Sequence, residues 1–217
     1  MDFETFSIIY LTVLFITVGL AIYRWNILSI ADRFMCLLLF ATLLAEGVSN
    51  FLARSGNNFV TYHFYTPVEL FLISLYFDRS IKFRRPYLIG LTVGISGIIL
   101  SVINTLYFQP YDQFNSYILL LDACVIVIFC FLSFYRLLIK EDAVPVKMAH
   151  FWLTICFLFF SSFTFVFYGL YGTLVGQDHN SRLAFIFNYA LWFSNLFLYI
   201  GIAVVFIRYK KLIPSGE

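Results

Sequence analysis

Seven stretches of mainly apolar residues follow one another along the chain, separated by short polar joints. A membrane-spanning helix needs about 20 such residues, because the hydrocarbon layer is roughly 30 Å thick and a helix rises about 1.5 Å per residue. The backbone finds no water to bind in lipid, so each stretch is predicted to be helical. The predicted spans run approximately over residues 6–23, 34–52, 59–77, 87–106, 117–138, 151–171 and 183–207.

The joints between the spans are too short to form a soluble domain, so residues 1–217 are predicted to be a single seven-helix membrane domain. The chain starts with the acidic residues Asp2 and Glu4, where a signal peptide would be basic. We therefore expect the first apolar segment to remain as a membrane helix.

Composition supports a membrane protein and excludes other classes. Of the 217 residues, 62% are hydrophobic and 12% are charged, whereas a soluble domain carries about 25% charged residues. A disordered chain would have far fewer apolar residues. The net charge of +2 is too small to indicate nucleic-acid binding. The predicted fold class is an all-α integral membrane protein whose main partner is the lipid bilayer.

The distribution of lysine and arginine predicts the orientation of the helices. If the seven spans alternate in direction, 12 of the 14 basic residues lie on one side. Only Arg54 and Arg182 lie on the other side. Because cytoplasmic loops are enriched in lysine and arginine, the N-terminus is predicted outside and the C-terminus in the cytoplasm. The expected location is the cell membrane, that is, a plasma or inner membrane, with multiple passes.

Similar sequences at corresponding helices suggest an internal repeat. The first span ends with Tyr23-Arg24 and the fifth with Tyr135-Arg136, and each is followed by a short basic loop. A parallel repeat of three helices joined by the fourth, a 3+1+3 plan, would explain this and is common among transporters. The alternative is that Tyr-Arg is only an ordinary interfacial anchor.

The cysteines and histidines do not form a recognisable metal or disulfide pattern. All four cysteines fall within apolar stretches without CxxC spacing, where cysteine behaves as a small hydrophobic residue. His63, Asp178 and His179 could lie near one another on the outer side, but their spacing matches no known zinc-ligand pattern. We predict no metal site, no cofactor and no catalytic residue.

Three carboxylates lie within the predicted spans: Glu46, Glu69 and Asp122. Ionisable groups are costly inside a membrane and usually have a function there. No lysine or arginine lies at a similar depth, and the predicted topology places all three acids in the outer half of the bilayer. Each must be protonated, hydrogen-bonded or paired with a bound cation.

Other polar side chains share helical faces with these acids. The faces could converge on an outward-facing, acidic and aromatic pocket; alternatively, the Ser, Thr and Asn side chains could join helices by hydrogen bonds. The predicted ligand- or proton-binding residues are Glu46, Asn50, Tyr62, Thr66, Glu69, Asp122, Asn188, Trp192 and Asn195.

These features favour a small-solute or cation transporter coupled to protons. One alternative is a seven-helix sensor or signalling subunit that acts through a protein partner. Others are an intramembrane hydrolase that uses Glu46 and Glu69 as acid and base, and a non-catalytic accessory protein. The sequence leaves open the substrate, the oligomeric state and whether the protein is an enzyme, although it contains no nucleophile or metal motif.

Overall fold

A computed structural model describes residues 3–54, 56–82, 87–139, 144–174 and 181–212, with all of their side chains except those of 3, 4, 171–174 and 181–188. The described residues form seven long α-helices, three short 3₁₀ helices and no strand, which confirms the all-helical class. The long helices are α1 (Phe3–Arg24), α2 (Ile30–Ala53), α3 (Phe59–Ile81), α4 (Leu88–Tyr107), α5 (Ser116–Ile139), α6 (Ala149–Leu174) and α7 (Ser181–Arg208).

Each predicted span coincides with one of these helices. Among the described residues, six helices are long and apolar enough to cross a membrane, which indicates a multi-pass membrane protein. The exception is α3, which has 23 residues but carries Glu69, Asp78 and Arg79. Its polarity matches its position, because α3 packs against three other helices: α2, α4 and α5.

Six of the helices form a closed ring. Going around it, α1 contacts α2, α2 contacts α3, α3 contacts α5, α5 contacts α6, α6 contacts α7, and α7 returns to α1. Helix α4 lies outside the ring, packed on α3 and to a lesser extent on α5. The chain therefore supplies the ring as two consecutive groups of three helices, with α4 between them.

Contacts at both ends of the bundle show that α1 and α7 run in the same direction and α2 in the opposite one. At the end where α1 begins, called here the N-terminal end, Phe6 stacks on Trp192 in the first half of α7. At the opposite end, called here the C-terminal end, Tyr209 after α7 donates a hydrogen bond to Asp32 in the first turn of α2.

The contact between α4 and α3 depends on small residues. A Cβ atom at Gly90 would lie 2.8 Å from the carbonyl oxygen of Ser74, and one at Gly94 would lie 2.6 Å from the Phe71 side chain. Close helix approach through glycine is common in membranes. The Asp78 carboxylate of α3 also accepts hydrogen bonds from the backbone N–H groups of Tyr87 and Gly90, capping the start of α4.

The C-terminal half of the ring is filled by a packed apolar core. Its largest fully buried side chains include Tyr76 and Phe77 of α3, Phe157 of α6 and Phe206 of α7. The rings of Phe77 and Phe129 stack with centroids 5.4 Å apart. Among the described residues, these side chains pack the C-terminal half of the ring.

Candidate functional site

A cavity of about 480 Å³ occupies the centre of the ring toward its N-terminal end. All six ring helices contribute to its wall, together with Phe114 from the loop before α5. Of its 26 lining residues, 11 are aromatic. The only charged side chains among the described lining residues are Glu46 and Glu69, so no basic side chain balances them there.

Glu46 is held in place by a tyrosine on another helix. The Tyr10 hydroxyl of α1 donates a hydrogen bond of 3.0 Å to Glu46 Oε1. It also lies 3.4 Å from the Tyr199 hydroxyl of α7. No described residue hydrogen-bonds the second oxygen, Oε2, and this carboxylate lines the cavity, so Oε2 is available to a ligand there.

Glu69 lies one turn after Tyr65 on α3, and both side chains line the cavity. The Tyr65 hydroxyl lies 2.8 Å from the Thr42 hydroxyl of α2. Thr42 donates its one proton to the carbonyl oxygen of Leu38 over 2.9 Å, so the Tyr65 hydroxyl donates to Thr42.

Six of the nine predicted site residues line the cavity. Asn50 lies at its rim, where its amide donates to the Glu46 carbonyl oxygen over 2.8 Å. The Asn195 amide donates to the Leu191 carbonyl oxygen of its own helix over 3.1 Å. The six residues are Glu46, Asn50, Tyr62, Glu69, Trp192 and Asn195.

The other three predicted residues are placed differently. Thr66 is fully buried and donates to the Tyr62 carbonyl oxygen over 2.8 Å, so its hydroxyl is hydrogen-bonded within its own helix. Asp122 is buried outside the cavity wall, and its Oδ1 atom has no hydrogen-bond partner among the described residues. The Asn188 side chain lies outside the described residues.

The structure adds cavity residues that sequence reasoning did not include in the site. Tyr10 was missed because α1 is otherwise almost uniformly apolar. Thr42 precedes Glu46 by one helical turn, so the polar face of α2 could have been extended to it. The added polar residues are Tyr10, which hydrogen-bonds Glu46, Tyr199, which contacts Tyr10, and Thr42 and Tyr65, which hydrogen-bond each other.

A second polar cluster, called here the closed cluster, lies in the C-terminal half among α3, α5 and α6. His150 Nδ1 lies 3.0 Å from the Tyr76 hydroxyl, and Nε2 lies 2.5 Å from the Ser133 hydroxyl. Ser133 lies 3.2 Å from the Thr154 hydroxyl, and Thr154 donates to the His150 carbonyl oxygen over 2.7 Å. All four side chains are at most 2% exposed.

The proton directions in the closed cluster follow from Thr154. Its one proton goes to the carbonyl oxygen of His150, so Ser133 donates to Thr154. Ser133 then accepts from His150 Nε2, and Nδ1 accepts from Tyr76. A neutral histidine satisfies every group in this arrangement.

The described residues contain no group of three or more His, Cys, Asp or Glu side chains that could hold a metal ion. His63 is buried, with Nδ1 lying 2.9 Å from the Thr105 hydroxyl and Nε2 lying 3.0 Å from the Gln113 carbonyl oxygen. Asp178 and His179, considered above as its zinc-binding partners, lie outside the described residues.

Comparison with protein-family models, with curated proteins and with solved structures finds no match to this chain. The geometry of the cavity is therefore the basis on which a function can be inferred.

Proposed function

We propose that this protein binds a small cationic solute in the ring cavity and carries it across the membrane in a proton-coupled cycle. The observation that carries the proposal is a cavity with two carboxylates, Glu46 and Glu69, and no basic side chain among its described lining residues. A bound cation or protons would compensate these acids, since an isolated charge is costly in such surroundings.

The proposed topology has seven spans, including α3, with the N-terminus outside and the C-terminus in the cytoplasm. The proposed location is the membrane that bounds the cell. The 12-to-2 distribution of basic residues supports it. The cavity lies toward the N-terminal end and would then face outward.

A reporter that is active only in the cytoplasm tests this topology. Fused after Glu217, it should be active; inserted between residues 107 and 116, it should be inactive. The opposite result at either position would refute the proposed orientation or the span count.

The 3+1+3 plan is part of the same proposal. Helices α1–α3 and α5–α7 form consecutive halves of the ring, and α4 lies outside it. This arrangement supports a parallel repeat in which α4 returns the chain to the N-terminal end. Movement of one half against the other is a common transporter device.

One observation favours sensing as a second candidate. The apolar core of Tyr76, Phe77, Phe157 and Phe206 blocks the way from the cavity to the C-terminal end. In a protein that binds a cation without transporting it, the core could stay closed at all times. Such a protein would signal through a protein partner. A transporter would need the core to open during each cycle.

Flux measurements distinguish the two functions. Purified protein is reconstituted into liposomes that contain a pH-sensitive dye, and Na⁺, K⁺ or tetramethylammonium is added outside. Proton-coupled transport predicts a cation-dependent change of internal pH. We expect it to be at least about tenfold slower in Glu46→Gln and in Glu69→Gln.

The matched control is Asp112→Asn, which removes a negative charge from the exposed loop before α5. It should transport at the wild-type rate. If the wild-type protein binds a cation but neither Na⁺, K⁺ nor tetramethylammonium changes the internal pH, transport is refuted and sensing is favoured.

A further inference from the structure

The cavity wall contains more apolar and aromatic surface than an inorganic ion could use. Eleven of its 26 lining residues are aromatic, including Tyr62, Phe160, Phe167 and Trp192. Sodium or calcium ions prefer a shell of oxygen ligands, and the described residues offer no cluster of metal-binding side chains. Aromatic rings instead attract cations that have apolar substituents, through the negative faces of their π-systems.

The size of the cavity also favours an organic ligand. Pockets that bind drug-sized molecules measure about 300–1,000 Å³, and this cavity measures about 480 Å³. A single inorganic ion would fill little of it. An organic ion would bury its apolar groups against the aromatic wall.

The two acids supply the counter-charge from neighbouring helices. Glu46 belongs to α2 and Glu69 to α3, and both line the same cavity. One oxygen of Glu46 is held by Tyr10, and the other is available to a ligand. The absence of basic groups from the described wall disfavours anions.

We propose that the ligand of this cavity is an organic ammonium ion. Its charged nitrogen lies between Glu46 and Glu69, and its apolar substituents contact the aromatic wall. This inference rests on the proposed cation-binding function and specifies the chemical class of the ligand.

Benzyltrimethylammonium is a suitable probe, because its charge is permanent and it carries one aromatic group. Binding to purified full-length protein in detergent is measured by isothermal titration calorimetry. Sodium chloride and calcium chloride test inorganic cations, and benzylsulfonate tests an organic ion of similar size and opposite charge. We expect binding of benzyltrimethylammonium but not of benzylsulfonate.

Variants show whether the probe occupies this cavity. Glu46→Gln and Glu69→Gln should each weaken binding by at least about tenfold, whereas the exposed-loop variant Asp112→Asn should bind like wild type. Circular dichroism confirms that the variants remain folded.

A second pair of variants keeps both acids. Among the described residues, the Tyr62 hydroxyl accepts a single long hydrogen bond of 3.5 Å, from Ser49. Tyr62→Leu removes the aromatic ring and should weaken binding by about two- to 30-fold, the range of one cation–π contact. Tyr62→Phe keeps the ring and should weaken binding less than Tyr62→Leu does; equal losses would show that the ring itself does not contact the probe.

The outcomes separate this inference from the function on which it rests. If sodium or calcium binds in a Glu46- and Glu69-dependent way and benzyltrimethylammonium does not, the ligand class is wrong and cation binding stands. If the probe binds equally well to wild type and both Gln variants, it does not occupy this site and the inference fails. If no cation binds to folded wild-type protein, the inference and the proposed function both fail.

Discussion

Polar side chains enter the helix ring in both of its halves, but they are arranged differently in each. In the closed cluster, Thr154, Ser133, His150 and Tyr76 form one sequence of hydrogen bonds with one direction of donation. In the cavity, one oxygen of the Glu46 carboxylate, Oε2, has no hydrogen-bond partner among the described residues. Satisfied polar groups in a packed core rigidify a structure, whereas an acid with an unpaired oxygen beside a cavity can bind a ligand or a proton.

The same difference appears in what surrounds the polar groups. Those of the closed cluster are at most 2% exposed and are packed among Phe77, Phe129 and Phe157. Glu46 and Glu69 line an open space instead. Substitutions in the closed cluster should therefore affect stability, and substitutions at the cavity should affect binding or transport.

The largest effect on stability is expected for His150→Ala. It removes the partner of two hydroxyl groups and leaves a cavity in the apolar core, so it should reduce the free energy of unfolding by about 3–5 kcal/mol. Unfolding of the detergent-solubilised protein, titrated with SDS, measures this. Glu46→Gln is the comparison and should change stability by less than about 1 kcal/mol; equal losses in the two variants would remove the distinction between the two regions.

A smaller effect is expected when one hydroxyl group is removed from each region. Tyr76→Phe leaves the Nδ1 atom of His150 without this donor inside the core and should cost about 1–3 kcal/mol of unfolding free energy. Tyr10→Phe makes the same chemical change at the cavity, where water can replace the hydroxyl, and should cost less than about 1 kcal/mol. The same SDS titration compares the two variants, and a larger loss for Tyr10→Phe would contradict this comparison.

The helices could be predicted from sequence because the thickness of the bilayer sets the length of each apolar run. The order of helices in the ring could not, because apolar helix faces look alike in a single sequence. Gly90, Gly94 and Gly97 do mark one face of α4 at helical spacing. That face packs on α3, but the spacing alone does not show which helix packs against it.

The site was predictable where polar residues share a helix face and not where the partner lies on another helix. Glu46 and Asn50 follow that rule, and so do Tyr62 and Glu69. Tyr10 could not be paired with Glu46 from sequence, since they are 36 positions apart. Thr66 has the right spacing, but its hydroxyl bonds its own backbone instead of facing the cavity.

The contact between α3 and α4 has a consequence for the order in which the chain is assembled. Among the described helices, α3 is the one long helix that is not among those long and apolar enough to cross a membrane. Helix α4 follows it directly, covers it through glycine contacts, and begins with N–H groups capped by Asp78 of α3. The first turn of α4 thus acquires its cap only once α3 is beside it. If the helices insert into the membrane in chain order, α3 and α4 would insert together as a helical hairpin, in which the apolar α4 covers the more polar α3.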